Sequence, residues 1–285
     1  MAEMLSFMAL PFAACIVLVG IHGYFGLHVL RRGIIFIDIA MAQVAALGAL
    51  AAVVLGRTPE GLAAHWLALG LTAVAAGLFT LTKSSGHKIP QEAVIGVVYA
   101  VAISGSLLLA VKLAGGGEHL HETLDGSILW VGWDDLFHCT WVYALVGIFH
   151  WIFRKKFIPL SFDYAGARAG GMNVRLWDFL FYFSLGWVLV HSVEIGGVLL
   201  VFAILVLPAS ISSLMAKNLR VRIVIAWSVG AASCALALFL SWKLDLPSGP
   251  AVICVLGAVL LLVGLARKLA GARNPDQVTA SPPGE

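Results

Sequence analysis

Residues 31–57 read RRGIIFIDIAMAQVAALGALAAVVLGR, an apolar stretch fenced by Arg31 and Arg32 on one side and Arg57 on the other, with Asp38 as its one internal charge. A helix rises 1.5 Å per residue, so about 20 apolar residues cross the hydrocarbon of a bilayer. Working outward, the same pattern recurs in nine runs, at about 8–30, 33–55, 65–82, 93–111, 136–153, 177–192, 196–215, 223–242 and 250–266, two of them short for a full crossing. Over 285 residues, 61% are hydrophobic and 12% charged, whereas soluble domains carry about a quarter charged residues. In lipid each backbone amide must be satisfied within its own segment, and the runs lack the alternation of a barrel strand. The expected fold is all-α, a polytopic transmembrane bundle of eight to nine crossings occupying residues 1–270, with 271–285 a polar, Pro-containing, disordered cytoplasmic tail.

The basic residues set the orientation. With the amino terminus outside, Arg31, Arg32, Lys83, Lys88, Arg154, Lys155, Lys156, Arg168, Arg175, Lys217, Arg220, Arg222, Arg267, Lys268 and Arg273 all fall on one side, and Arg57, Lys112 and Lys243 on the other. The positive-inside rule then places the first side, and the carboxyl terminus, in the cytoplasm. The net charge of +3 therefore reports orientation rather than nucleic-acid binding. The amino terminus carries Glu3 and no basic leader, so the first run is expected to remain as a helix. Cys15, Cys139, Cys234 and Cys254 sit in or beside apolar runs without a CxxC pair, as buried thiols would.

Two connections exceed simple turns. The outer one, 113–135, holds Glu118, His119, His121, Glu122, Asp125, Asp134 and Asp135 without Lys or Arg, a negative surface that attracts cations. Glu118, His119, His121 and Glu122 could hold Zn²⁺ loosely, although a solvated loop of this composition is common. The inner one, 154–175, mixes Pro, Gly and basic residues, in the manner of a docking or re-entrant segment. No internal repeat divides the chain.

Ionisable residues at membrane depth are costly and mark function by default. Asp38 lies six residues past Arg32, about 9 Å inside the boundary. His22 and His28 precede it in GIHGYFGLHVLRR, and Gln43 follows it. Imidazole, carboxylate and amide oxygen suit a divalent transition ion that must bind and leave. Blander roles stay open: Asp38 pairing with Arg31 or Arg32, His28 as a snorkelling or capping group, and Gly20, Gly23 and Gly26 as a packing stripe. His191 and Glu194, three apart near the outer end of the sixth run, can face one another on a helix, as metal ligands or as a helix-end hydrogen bond. Glu92 follows Pro90 at a helix start, where capping explains a carboxylate. No phosphate-binding loop, nucleophile elbow or HExxH helix occurs, so the chain is expected to be a transporter rather than an enzyme, with any ATP bound on a partner.

The stretches RRGIIFIDIAMAQVAALG, QEAVIGVVYA, SFDYAGARAGG, EIGGVLLVFAILVLPASISSLMAKN and LSWKLDLPSGPAVICVLGAVLL, in this order, resemble the membrane permease subunits of bacterial zinc, manganese and iron uptake ABC transporters. The likeness spans nearly the whole chain, and its more specific parts are VLPASISSLMA and LDLPSGPA. The resemblance implies a homodimer in the bacterial inner membrane, fed by an extracytoplasmic metal-binding protein and driven by cytoplasmic ATPase subunits. It also implies a short docking helix after the seventh run, matching PASISSLMAKNL and so Pro208, Ala209, Ser210, Ser213, Leu214 and Lys217. Eight crossings are usual in that family, which would make 177–192 or 196–215 a broken or partial helix.

One departure stands out. The family pair is Asp followed four residues later by His, and here Asp38 is followed by Ala42, with Gln43 about 100° further round the helix. The expectation is that His22 or His28 supplies the imidazole, in an alternating-access importer of Zn²⁺ first, then Mn²⁺ or Fe²⁺. A stand-alone proton-coupled carrier, with Asp38, Glu92 and the intramembrane His residues as its relay, is the alternative.

Overall fold

The computed structural model describes residues 2–58, 61–84, 89–113 and 128–271. The outer-loop residues Glu118, His119, His121 and Glu122, and the tail from residue 272, lie outside the described residues. Among the described residues ten α-helices and one 3₁₀ turn follow in order: α1 Ala2–Arg32, α2 Ile37–Val54, α3 Leu62–Ser84, α4 Gln91–Ala110, the turn Ile128–Trp130, α5 Trp133–Ile152, α6 Arg154–Phe162, α7 Tyr164–Ala169, α8 Val174–Met215, α9 Leu219–Leu244 and α10 Ser248–Leu269. No strand occurs among the described residues.

The opening stretch shows why the helices end where they do. Arg31 and Arg32 occupy the last turn of α1, where cations face the negative end of the dipole. Gly33 then takes φ +64, a left-handed conformation that costs glycine little. Its amide donates to Leu30 O and the Ile34 amide to Val29 O, so two otherwise orphaned carbonyls are satisfied. Four residues on, Ile37 starts α2, and Asp38 lies in its first turn.

Among the described residues seven helices are long and apolar enough to cross a membrane, or eight spans if α5 with α6, bent by 80°, is one broken span. One of the seven, α8, is 42 residues long, about 63 Å if straight and twice what a bilayer needs. It is not straight. Gly197 breaks it with φ 70 and ψ 163, a conformation essentially confined to glycine. Its register against α1 shows the reversal: Asp178 meets Arg32, Phe181 meets Phe25 and His28, and Gly196 lies by Leu18. Beyond the break the chain comes back, so that a Cβ on Gly26 would strike the Leu205 carbonyl and crowd Ala209. The two short runs, 177–192 and 196–215, are thus two legs of one broken helix. The missing Cβ at Gly26 lets α1 and the second leg approach backbone to backbone.

The core runs through α1, α2, α5 and α8, and includes Phe25, Ile34, Ile37, Met41, Leu185 and Ile204. Outer faces are apolar too, with Leu262, Leu265 and Leu269 of α10 exposed, as a lipid-bathed surface requires. Trp133 and Trp151 stand exposed at opposite ends of α5, roughly 27 Å apart along the axis, a spacing suited to the two interfaces of a bilayer. The chain is a multi-pass membrane protein. Cys15, Cys139 and Cys234 are buried as expected, but Cys254 is exposed, because it points off the outer face of α10, where a small apolar thiol costs nothing in lipid.

Candidate functional site

Asp38 is 2% exposed. Its Oδ1 accepts from the Ile39 amide at 2.7 Å, and its Oδ2 is buried without a hydrogen-bond partner. The guanidinium expected nearby is engaged elsewhere. Arg32 lies 2.7 Å from Asp178 Oδ1, donates from Nε to Ser161 Oγ at 2.8 Å, and covers the Phe181 ring at 3.7 Å. Arg31 lies over Phe162, 5.3 Å from the ring centre. A carboxylate with a vacant, desolvated oxygen is costly unless a cation or proton visits it.

Close by, Glu92 Oε1 accepts from the Ile35 amide at 2.6 Å, so the α4 carboxylate braces the turn that carries Asp38 into α2. The sequence allowed Glu92 a cap on its own helix; its observed bond crosses to the α1–α2 turn. Its Oε2 is also buried without a partner. Gln43 is buried one turn and a half further along α2.

His22 and His28 are fully buried on α1. His22 Nδ1 meets Leu18 O at 2.9 Å, and His28 Nδ1 meets Ser161 Oγ at 2.8 Å. The ring of His22 stands edge-on to Tyr143 of α5, while that of His28 packs on Tyr24, Phe162 and Phe181. His22 therefore faces α5, and His28 faces α6 and α8. Neither is joined to Asp38 by a hydrogen bond, yet each has a buried Nε2 with no partner. Donor atoms are thus vacant on both helices, without being gathered at one point.

Three side chains unforeseen in the sequence, Asp178, Tyr164 and His150, hold this end of the bundle together. Asp178 Oδ1 takes both Arg32 and, at 2.9 Å, Lys83 Nζ, while Tyr164 donates to its Oδ2 at 3.2 Å. Burial, with the neighbouring Asp178 carboxylate, pushes the Tyr164 phenol up to about 12, so it stays a donor. His150 adds a second tie: Nε2 meets Ser184 Oγ at 2.8 Å, Nδ1 meets Tyr24 Oη at 3.1 Å, and the ring stacks on Phe157 at 3.9 Å. These bonds fasten α6 and α7, the inner connection, across α1 and α8.

The expected docking segment is placed differently from a separate short helix. Pro208 to Met215 continue the second leg of α8, which ends at Ala216, where the backbone turns extended. Pro208 and Ala209 are buried against α1, because Ala209 fills the space over Gly26. Ser210, Ser213 and Leu214 are half-buried and Lys217 is exposed at the tip. At the other end of the bundle, His191 Nδ1 lies 3.7 Å from Glu194 Oε2, so the two do face one another. No group of three or more His, Cys, Asp or Glu among the described residues converges on a common point.

A family profile described as the ABC 3 transport family matches residues 4–268. The manganese transport system membrane protein MntC of Listeria innocua is 29% identical over 193 residues, 68% of each chain. The chelated iron transport system membrane protein YfeD of Yersinia pestis is 24% identical over 208 residues, covering 71% of this chain and 69% of its own. Among solved structures, PsaBC from Streptococcus pneumoniae, in complex with Fab, superposes with a TM-score of 0.76 at 24% identity, covering 92% of this chain and 94% of that one. This last likeness concerns the fold.

Proposed function

The chain belongs to the ABC 3 transport family, as a membrane permease subunit of a metal ABC transporter, and from that premise we propose that it imports a divalent transition ion past Asp38 while a separate subunit hydrolyses ATP. The observation that carries the proposal is the vacant Oδ2 of Asp38, buried in the bundle and not engaged by Arg32. A site of one carboxylate per subunit holds an ion weakly enough to release it. Two copies related by a twofold axis would present the pair across a central path. His22 and His28, each with a vacant Nε2, are the candidates for the imidazole absent at Ala42. Their ring contacts run to α5, α6 and α8 and not to Asp38, so the ion would meet them in another conformation of the alternating-access cycle.

The remaining assignments follow. The basic helix ends face the cytoplasm by the positive-inside rule, which puts Ser210, Ser213, Leu214 and Lys217 where an ATPase subunit can dock. The opposite end receives the ion from an extracytoplasmic binding protein, with Glu118, His119, His121 and Glu122 as acceptors. Zinc is the first choice, because imidazole is plentiful at that end; manganese and iron follow, the cargoes in the names of MntC and YfeD.

Reconstitution with the ATPase subunit into vesicles tests this. Uptake of Zn²⁺, Mn²⁺ and Fe²⁺ should require ATP, fall to background in Asp38→Ala, and fall in His22→Ala or His28→Ala. ATP-independent transport would favour the stand-alone carrier. Unchanged uptake in Asp38→Ala would dispose of the pathway.

A further inference from the structure

The end of the bundle away from Arg32 and Lys83 gathers three histidines from three helices. His191 of α8 is 3% exposed. Its ring centre lies 4.9 Å from that of His65 of α3 and 5.4 Å from that of His138 of α5. The Glu194 carboxylate sits 3.7 Å from its Nδ1, the Cys139 thiol donates to its backbone carbonyl at 3.6 Å, and its Nε2 is buried with no partner. Helix packing alone does not explain an imidazole that is buried, open at one nitrogen and flanked by two more imidazoles. Rings tilted on one another at 33° and 57° leave that buried nitrogen unsatisfied, which is costly where water is excluded.

The two ring spacings to His191 fit a metal. A Zn–N bond of about 2.0–2.1 Å puts each ring centre roughly 3.2 Å from the ion, and two rings at the tetrahedral angle roughly 5.2 Å apart. The observed 4.9 and 5.4 Å bracket that value. The nitrogens do not yet converge. His138 is exposed and His65 half-buried, and no hydrogen bond is seen to either ring among the described residues, so both can turn without losing one.

We infer that His65, His138, His191 and Glu194 form a Zn²⁺-binding site at this mouth of the bundle, distinct from Asp38 and closed around the ion by rotation of the His65 and His138 rings. Three imidazoles and one carboxylate favour zinc over manganese, whose preference runs to oxygen ligands. Binding there stands on its own geometry; its role as the station that first accepts the ion rests on the importer reading above.

The test uses the purified full chain in nanodiscs, titrated with Zn²⁺ against a chelating dye and with Co²⁺ as a spectroscopic probe. His65→Gln/His138→Gln changes only the two accessible rings and spares buried His191. The wild type should bind one Zn²⁺ per chain more than this variant and show intense tetrahedral Co²⁺ bands that the variant lacks, and the difference should persist in an Asp38→Asn background. Equal stoichiometry and equal Co²⁺ spectra would overturn the site, even if Asp38→Ala abolishes uptake and the importer reading stands. Loss of the zinc with unchanged ATP-driven uptake would overturn the accepting role. His-dependent zinc in a chain that imports no metal would support the site and sink the importer reading.

Discussion

Replacing Asp178 should unfasten the basic end of the bundle more than any other single change there. Its carboxylate is shared by Arg32 at 2.7 Å and Lys83 at 2.9 Å, with side-chain exposures of 1% for Arg32 and 2% for Asp178. Asp178→Leu would leave a guanidinium buried against Phe181 without a counter-charge, beside an ammonium that shared the same oxygen. Breaking a buried pair from one side typically costs about 3–5 kcal/mol. Lys83, 17% exposed, can swing toward the interface, so the Arg32 half carries most of the loss. Adding Arg32→Met removes the orphaned charge, so the double variant should recover at least about 2 kcal/mol of the damage. Reversible unfolding in mixed lipid–SDS micelles reads both values. A loss below about 1 kcal/mol for Asp178→Leu, typical of an exposed pair, or a double variant as damaged as the sum of the singles, would show that the cluster is not the desolvated clamp described here.

Three further outcomes are expected. Gly197→Val forces a branched side chain into a backbone conformation that is nearly glycine-only, and should cost about 1–3 kcal/mol in the same unfolding assay; a neutral result would mean that the helix turns back by other means. Gly26→Val should separate α1 from the returning leg of α8 at Leu205 and cost about 1–3 kcal/mol by overpacking, visible as a lowered melting temperature of the solubilised chain. Leu214→Asp with Lys217→Glu, at the half-buried and exposed tip of α8, should reduce the ATPase subunit recovered with a tagged chain while leaving its melting temperature in place; full recovery would move the docking surface elsewhere.

What could be read in advance follows from which interactions are local. Each apolar run became a helix within a few residues of its expected ends, because in lipid a helix satisfies its own backbone and needs no distant partner. The merging of 177–192 with 196–215 was harder to foresee: Gly196 and Gly197 stand next to each other in EIGGV, and only the second takes the positive φ that reverses the chain. Asp38 could be singled out as a charge inside an apolar run. Asp178 sits one residue inside another such run and obeys the same rule, yet its proximity to the basic end makes it read as a surface residue. Its partner Arg32 is 146 residues away in sequence.

The histidines divide the same way. His22 and His28 are legible as polar residues in a greasy helix, whereas His65, His138 and His191 lie near run ends, where a polar residue is unremarkable. They become a group only once α3, α5 and α8 are packed. A carboxylate in an apolar run thus announces its cost from one segment, while a site assembled from single residues on three segments does not. The chemistry of the two ends follows from that difference. At the basic end Asp178 is engaged by Arg32 and Lys83 together, while Asp38, in the first turn of α2, keeps an oxygen vacant. On the proposed route an ion leaving Asp38 toward the cytoplasm would meet two cations held on one carboxylate, a net positive charge that repels it, so opening that end would require α1 and α8 to part, and the helix tip at Leu214 and Lys217 lies on the leg of α8 that packs on α1 at Gly26.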